Sequence, residues 1–206
     1  MPHDATVFVV DDDPAVRKSL HWLFESVGVS MQSFPSAQAF IDAYDPAQPG
    51  CLILDIRMPG MSGLELQQKL KAAAMELPVI IVTGHGDVST AVRAMKQGAV
   101  DLLEKPYSDQ AMLDLVQKCL KQSEEQRRQA TRRKDAIERL ERLTKRERDV
   151  HDLVLRGKTN KEIAQTLGIS PKTVEVHRSR LMEKMGTQSL AALVEISLLA
   201  KENSDG

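Results

Sequence analysis

Five short apolar runs separated by helical patterns fill the first 121 residues, and they constrain the fold more than any other feature. The runs lie at residues 7–10, 29–34, 51–54, 79–82 and 99–103. Between the first two runs, Val16, Leu20, Phe24 and Val27 recur at the spacing of one helix face. This alternation predicts an α/β doubly wound domain, with a five-stranded parallel sheet covered by helices on both faces.

Polar side chains follow four of these runs, where ligands of such sheets gather. They are Asp11 and Asp12, Asp55, Thr83 and Lys105. Three carboxylates together suit a hard divalent cation with oxygen ligands, and Mg²⁺ is the ion we expect. Lys105 offers an ammonium group to a carboxylate or phosphoryl oxygen, and Thr83 offers a hydroxyl group to an arriving anion. Taken singly, each is also explained as a turn residue or a helix-terminal acid, but their common register favours a site.

Local signals refine this picture. Asp13 before Pro14 is expected to cap the first helix, and Pro106 after Lys105 is expected to be cis. Cys51 and Cys119 lie in apolar patterns, which indicates a reducing compartment and neither a metal cluster nor a disulfide framework. With no leader-like start and no apolar run of membrane length, we expect a cytoplasmic protein without a membrane partner.

Residues 121–143 contain no Gly or Pro and few apolar residues, which predicts a solvated helix that prolongs the last helix of the first domain. We therefore expect a domain at 1–121, a charged helical linker at 122–142 and a second domain at 143–206. The second domain is predicted to be all-α with four helices. Thr144 with Glu147 forms a capping-box pattern, and Ser170-Pro171 is a helix start signal.

The charge balance differs between the two parts of the chain. Residues 1–121 carry 10 basic and 15 acidic side chains, whereas the remainder carries 18 basic and 14 acidic ones, although the whole chain has a net charge of only −1. Nucleic acid is one partner that suits the basic part. A plain helical bundle explains the apolar spacing of that part equally well.

The aspartate pair, Asp55 in "LDIRMPGMSG", Thr83 and "EKP" at Lys105 resemble bacterial response-regulator receiver domains. The resemblance implies a flavodoxin-like fold and a phosphoacceptor role for Asp55, which would attack a phosphohistidine of a sensor histidine kinase. It also implies Mg²⁺ held by Asp12, Asp55 and the backbone carbonyl of Arg57, with Asp11 acting mainly through a bound water.

The resemblance extends to the conformational switch. Phosphorylation in this family pulls the threonine inward, which implies a rearrangement of the segment that begins at Gly84-His85-Gly86. An aromatic residue commonly lies three residues before the lysine, and Leu102 takes that place here.

The motifs "GKTNKEIAQTLGIS" and "PKTVEVHRSRLMEKMG" resemble the helix-turn-helix of the LuxR/NarL group, and the whole chain resembles the FixJ-like subclass of response regulators. This implies a homodimer on phosphorylation, binding to promoter DNA, an RNA polymerase partner and activation of transcription. The residues expected at base edges are Glu175, Val176 and Ser179. Those expected at phosphates are Lys161, Lys172, Thr173, His177 and Arg180.

Two other functions compete with this interpretation. One is an enzyme that uses Asp55 as its nucleophile, similar to haloacid-dehalogenase phosphatases, although their attacking aspartate follows the first strand and Asp55 follows the third. The other is a phosphorelay carrier that never contacts DNA. We expect a transcriptional regulator and not an enzyme.

Overall fold

The structure is a computed structural model, and it describes residues 5–84 and 88–201, with Val88 described through its backbone alone. The chain divides into two compact units, Met1–Arg127 and Arg128–Gly206. The elements up to α5 are β1 Thr6–Val10, α1 Pro14–Ser26, β2 Ser30–Phe34, α2 Ala37–Ala43, β3 Gly50–Asp55, α3 Gly63–Ala72, β4 Val79–Thr83, α4 Val88–Lys96, β5 Asp101–Glu104 and α5 Asp109–Glu141.

The five strands form one parallel sheet in the order β2-β1-β3-β4-β5, which confirms the predicted fold class. Val10 pairs with Leu54 in the register between β1 and β3. The next residues, Asp11 and Asp55, therefore lie side by side at the carboxyl edge of the sheet. This is the point where the strand order reverses, and ligands of doubly wound sheets bind there.

Both faces of the sheet are buried, because successive side chains of a strand point to opposite faces. Phe8 and Val10 of β1 pack in the core on one side of the sheet, with Phe40 of α2. Val7 and Val9 pack in the core on the other side. This arrangement explains the continuous apolar runs in the sequence, because helices cover both sides of a parallel sheet.

β5 begins at Asp101, two residues later than the sequence predicts. The main-chain N–H of Ala99 donates to Ala94 and closes the end of α4. Ala99 therefore belongs to the helix terminus and not to the strand. Asp13 caps α1 by accepting a hydrogen bond from the N–H of Ala15, as predicted.

The second unit is entirely helical over its described residues. Its helices after α5 are α6 Lys145–Leu155, α7 Asn160–Leu167, α8 Pro171–Met185 and α9 Leu190–Lys201. The core contains Val150 of α6, Ile163 of α7, Leu181 of α8 and Leu193 of α9. α9 begins at Leu190, because the Oγ of Ser189 accepts a hydrogen bond from the N–H of Ala192 and caps the helix.

α5 runs without a break for 33 residues, which confirms the predicted helical extension of the last helix of the first domain. Towards its end, Ala136 is buried and Leu140 packs against the core of the second unit. Arg139 Nη1 donates to the carbonyl of Met185, the last residue of α8, at 2.8 Å. No helix among the described residues combines the length and apolarity needed to cross a bilayer.

Candidate functional site

The sheet edge brings together two buried carboxylates and one ammonium group. Asp11 is 3% exposed and Asp55 is 6% exposed. Lys105 Nζ lies 2.8 Å from Oδ2 of Asp11 and 2.8 Å from Oδ1 of Asp55, although these residues are 94 and 50 positions away in the chain. One ammonium group thus bridges both carboxylates.

The remaining carboxylate oxygens are held by the backbone. The N–H of Asp13 donates to Oδ1 of Asp11 at 2.9 Å, and the N–H of Arg57 donates to Oδ2 of Asp55 at 2.7 Å. Each carboxylate is therefore oriented by one main-chain donor and one side-chain donor. Such double anchoring fixes the direction in which the outer lone pairs point.

Thr83 and Lys105 complete this edge. The N–H of Lys105 donates to the carbonyl of Thr83 at 2.8 Å, and the Thr83 side chain is buried. The Lys105-Pro106 bond is cis, as the sequence predicts. Leu102 packs against the core on one side of the sheet, and Tyr107 packs against the core on the other side.

The electrostatics of the pocket follow from burial. Burial raises the pKa of Asp55 and outweighs the hydrogen bond and charge of Lys105, which act to lower it. Burial disfavours the charged form of Lys105, but its hydrogen bonds and charge interactions with Asp11 and Asp55 outweigh that effect and raise its pKa. The ionised Asp55 carboxylate is thus poorly solvated, and Lys105 stays protonated beside it.

Other predicted site residues lie outside this cluster. The side chains of Asp12 and Arg57 are exposed. Within the described residues, no three acidic, His or Cys side chains gather closely enough to form a ready-made metal cage. The oxygen donors present nevertheless fit a hard cation, because Asp55 carries a carboxylate whose charge is under-solvated. Within the segment predicted to rearrange, His85 and Gly86 lie outside the described residues.

Two residues of the site were missed by sequence reasoning. Arg17 Nη1 donates to the carbonyls of Asp11 and Asp12, at 2.7 and 3.0 Å, so that α1 holds the acidic loop. Gly63 begins α3, and a Cβ there would collide with the carbonyl of Asp55. A basic residue about one and a half helical turns after Asp11 and Asp12 was a sequence signal that could have identified Arg17. Gly63 is the last residue of the motif "LDIRMPGMSG", but no role was predicted for it.

The second candidate site is the exposed face of α8. Val174, Leu181 and Met185 of α8 are buried in the same core as Ile163 and Ala164 of α7. The opposite face of α8 is exposed. The exposed residues of this face are Lys172, Thr173, Glu175, Val176, Ser179 and Arg180. Lys161 of α7 is exposed as well.

The polar side chains of α8 differ in the contacts that they make. Lys172 Nζ lies 3.0 Å from Oε2 of Glu175. Arg178 Nη1 donates to Oδ1 of Asn160 at 2.9 Å and joins α8 to the first residue of α7. His177 differs from its neighbours because it is half-buried, and its Nδ1 has no hydrogen-bond partner among the described residues.

An acidic pocket at the switch point of a parallel sheet, followed by a helix-turn-helix, defines a regulator with a signal-receiving domain and a nucleic-acid-binding domain. Residues 7–117 match the family described as response regulator receiver domain. Residues 141–197 match the bacterial regulatory proteins of the luxR family. The chain therefore belongs to the two-component response regulators that regulate transcription through a LuxR-type DNA-binding domain, and the resemblance seen in the sequence is confirmed.

Relatives match along nearly the whole chain. The transcriptional regulatory protein FixJ of Azorhizobium caulinodans is 49% identical over 200 residues, which cover 97% of this chain and 95% of that protein. The response regulator protein TodT of Pseudomonas putida is 41% identical over 199 residues, with coverage of 97% and 88%. The solved structure of the response regulator StyR matches with a TM-score of 0.87 at 44% identity, and covers 95% of this chain and 98% of that one.

Proposed function

We propose that the chain carries a signal from a sensor histidine kinase to a promoter through phosphorylation of Asp55. The observation that carries this proposal is the Lys105 bridge, with 2.8 Å contacts to both Asp11 and Asp55. A receiver domain implies a histidine kinase as its phosphoryl donor, and the LuxR-type domain implies DNA as the target.

A carboxylate oxygen of Asp55 attacks the phosphorus of the kinase's phosphohistidine, and the P–O bond forms as the P–N bond breaks and the imidazole leaves. Both reactants are negatively charged. The protein therefore has to position the groups and neutralise their charge, because phosphoryl transfer needs little else. The N–H of Arg57 holds Oδ2 of Asp55, which directs the carboxylate. Lys105 supplies positive charge at Oδ1.

Asp12, Asp55 and the backbone carbonyl of Arg57 would hold Mg²⁺, with Asp11 acting mainly through a bound water. Magnesium would supply charge neutralisation between the carboxylate and the incoming phosphoryl group. Arg17 supports this set from the protein side, because its guanidinium group fixes the carbonyls of Asp11 and Asp12.

Thr83 supports the switch by its position. It ends β4 and is joined to Lys105 through the backbone, so its hydroxyl can donate to a phosphoryl group on Asp55. The segment after it leads into α4, where Val92 and Met95 are exposed apolar residues. These residues support a partner surface on α4, and a homodimer formed on phosphorylation is the proposed partner state.

The α8 face supports DNA recognition. An α-helix fits the major groove, and Glu175, Val176 and Ser179 are the proposed base-edge contacts. Glu175 can accept a hydrogen bond from a cytosine amino group. The proposed phosphate contacts are Lys161, Lys172, Thr173, His177 and Arg180. Dimeric binding to two half-sites, activation of transcription and contact with RNA polymerase complete the proposal.

The test is phosphorylation of the full chain with acetyl phosphate and Mg²⁺, followed by peptide mass spectrometry. We expect one phosphoryl group on Asp55, loss of labelling in Asp55→Asn, and normal labelling in Asp42→Asn, which changes an exposed aspartate on α2. Undiminished labelling of Asp55→Asn would refute the assignment.

The same preparations separate the competing functions. Sustained release of phosphate from small phosphate esters over many turnovers would indicate an enzyme. Absence of salt-sensitive, sequence-specific DNA binding in both phosphorylation states would indicate a phosphorelay carrier. We expect stoichiometric labelling, and specific DNA binding that phosphorylation strengthens in the wild type and not in Asp55→Asn.

A further inference from the structure

The carboxyl end of α8 is held by a side chain that comes from α5. Gly186 follows the last residue of α8 and ends the helix with a φ of +66°. The carbonyl of Met185 accepts a hydrogen bond from Nη1 of Arg139 at 2.8 Å. The last carbonyls of a helix have no partner within it, and a cation beside them also interacts favourably with the helix dipole. Arg139 therefore supplies a donor from outside α8.

Two further contacts define the position of the Arg139 guanidinium group. Oδ2 of Asp135, one turn earlier on α5, lies 2.7 Å from Nη2 of Arg139. A Cβ at Gly186 would lie 2.7 Å from Nη1 of Arg139, so this glycine leaves the space that the guanidinium group fills. The planar group thus places one nitrogen on an acceptor of α5 and the other on an acceptor of α8. A lysine ammonium group, which is a point charge, does not reproduce this geometry.

A second cationic side chain joins the same two helix ends in the opposite direction. Nζ of Lys184, in the last turn of α8, donates to the carbonyl of Arg142, the residue after α5, at 3.2 Å. The same ammonium group donates to Oε2 of Glu147 at 2.7 Å. Leu140 of α5 packs against the core that contains Met185. Polar and apolar contacts therefore both hold the end of α5 against the end of α8.

We propose that Arg139 is a positioning residue for DNA recognition, which holds α8 against α5 and so fixes the direction of the exposed face of α8. The inference rests on the proposed function, in which that face meets DNA. A protein whose binding-competent arrangement is only partly populated binds with an affinity reduced by that fraction. Arg139 keeps the competent fraction high, and its own nitrogens are engaged by Met185 and Asp135 rather than by DNA.

The experiment compares Arg139→Met with Arg142→Met in the full chain. Both substitutions remove one positive charge from the same stretch, but the Arg142 side chain is 68% exposed and lies 4.0 Å from Glu138. Binding of a fluorescent duplex, selected from a random pool by the wild-type chain, is measured by anisotropy at several salt concentrations. We expect Arg139→Met to bind about fivefold more weakly than Arg142→Met, because about one fifth of its molecules then hold α8 in the competent direction.

The salt dependence separates positioning from direct contact. Loss of a phosphate contact lowers the salt slope by about one, whereas the competent molecules of a mispositioned variant keep all their phosphate contacts. We therefore expect Arg139→Met and Arg142→Met to have the same salt slope. A role in folding alone would leave both affinity and slope unchanged in the folded protein. Equal affinities of the two variants, or a slope lower by about one in Arg139→Met, would overturn the proposal.

Hydrogen exchange without DNA gives a second readout. The Met185 amide should exchange about tenfold faster in Arg139→Met than in Arg142→Met, through loss of the charge-assisted hydrogen bond, while the Val150 amide of α6 is unchanged. Equal exchange at Met185 would overturn the proposal.

A charge-conserving pair covers the case in which Arg139→Met does not fold. Arg139→Lys should then bind the duplex about twofold more weakly than Arg142→Lys, and equal binding by this pair would overturn the proposal. If the wild-type chain enriches no duplex, the proposed DNA binding itself is wrong. Exchange at Met185 then decides whether Arg139 holds α8.

Discussion

Replacing Lys105 with Met should destabilise the first unit by an amount that depends on whether Asp55 is present. Methionine keeps the length and apolar stem of lysine and removes its charge. In the wild type the ammonium group is 2.8 Å from each of two buried carboxylates, Asp11 and Asp55. The substitution therefore leaves two like charges facing each other at the edge of the sheet.

The magnitude follows from the contacts. A hydrogen bond to a charged group contributes about 1.5–3 kcal/mol, and the Lys105 side chain is 27% exposed, so that water restores part of the loss. We expect Lys105→Met to lower the free energy of unfolding by about 3 kcal/mol. In an Asp55→Asn background the same substitution should cost at least about 1 kcal/mol less, because one carboxylate is then neutral.

Asp55→Asn alone should not destabilise the unit at neutral pH. Because burial raises the pKa of Asp55, the ionised carboxylate is less favourable in the folded than in the unfolded state above its unfolded pKa. The free energy of opening of the wild type and of each variant is measured by hydrogen exchange of the Leu52 and Leu54 amides in β3. An equal cost of Lys105→Met in both backgrounds would refute the bridging role of the ammonium group.

Three further predictions follow from other contacts. Gly63→Ala should destabilise the first unit by about 2 kcal/mol, because its Cβ meets the carbonyl of Asp55, and exchange in β3 measures this. Burial acts to raise the pKa of Glu147, but hydrogen bonds from Lys184 and Thr144 outweigh it and lower the pKa from 4.5 to about 2. The ionised Glu147 side chain should therefore stabilise the second unit fully above pH 4.5, and this stabilisation should be lost as the pH falls towards 2. Glu147→Gln should remove that pH dependence in hydrogen exchange of α6, and an unchanged profile would contradict it. Lys172→Ala should weaken DNA binding equally across sequences and reduce the salt slope by about one, as measured by fluorescence anisotropy; a change in base preference alone would contradict a phosphate contact.

Most of the sheet could be predicted because its strands are buried on both faces and their apolar runs are uninterrupted. β2 was the weakest case, since this edge strand has exposed and half-buried residues such as Ser30 and Gln32. It was predicted only as the apolar run at residues 29–34, and the strand begins one residue later, at Ser30. The helix boundaries were predictable where a capping side chain defined them, as at Asp13 and Thr144.

Contacts between distant segments were less predictable, because periodicity carries no information about which loop meets which helix. The contact of Gly63 with Asp55 depends on how closely α3 approaches the end of β3. The ion pair between Glu147 and Lys184, at 2.7 Å, depends on the packing of α6 against α8. Glu147 was expected only as a capping residue, and the structure shows it in both roles.

The three neighbouring aspartates show how packing divides roles among identical side chains. Asp11 is buried and bound to Lys105, Asp12 is exposed, and Asp13 caps α1. A phosphoryl group on Asp55 would carry a charge of about −1.5 to −2 in place of the single charge of the carboxylate, beside Asp11 and at a site where burial already disfavours negative charge. Lys105 cannot neutralise that charge while it still forms an equally short ion pair with Asp11. We therefore expect phosphorylation to draw Lys105 away from Asp11 and to require a further donor, for which Thr83 is placed at the end of the adjacent strand.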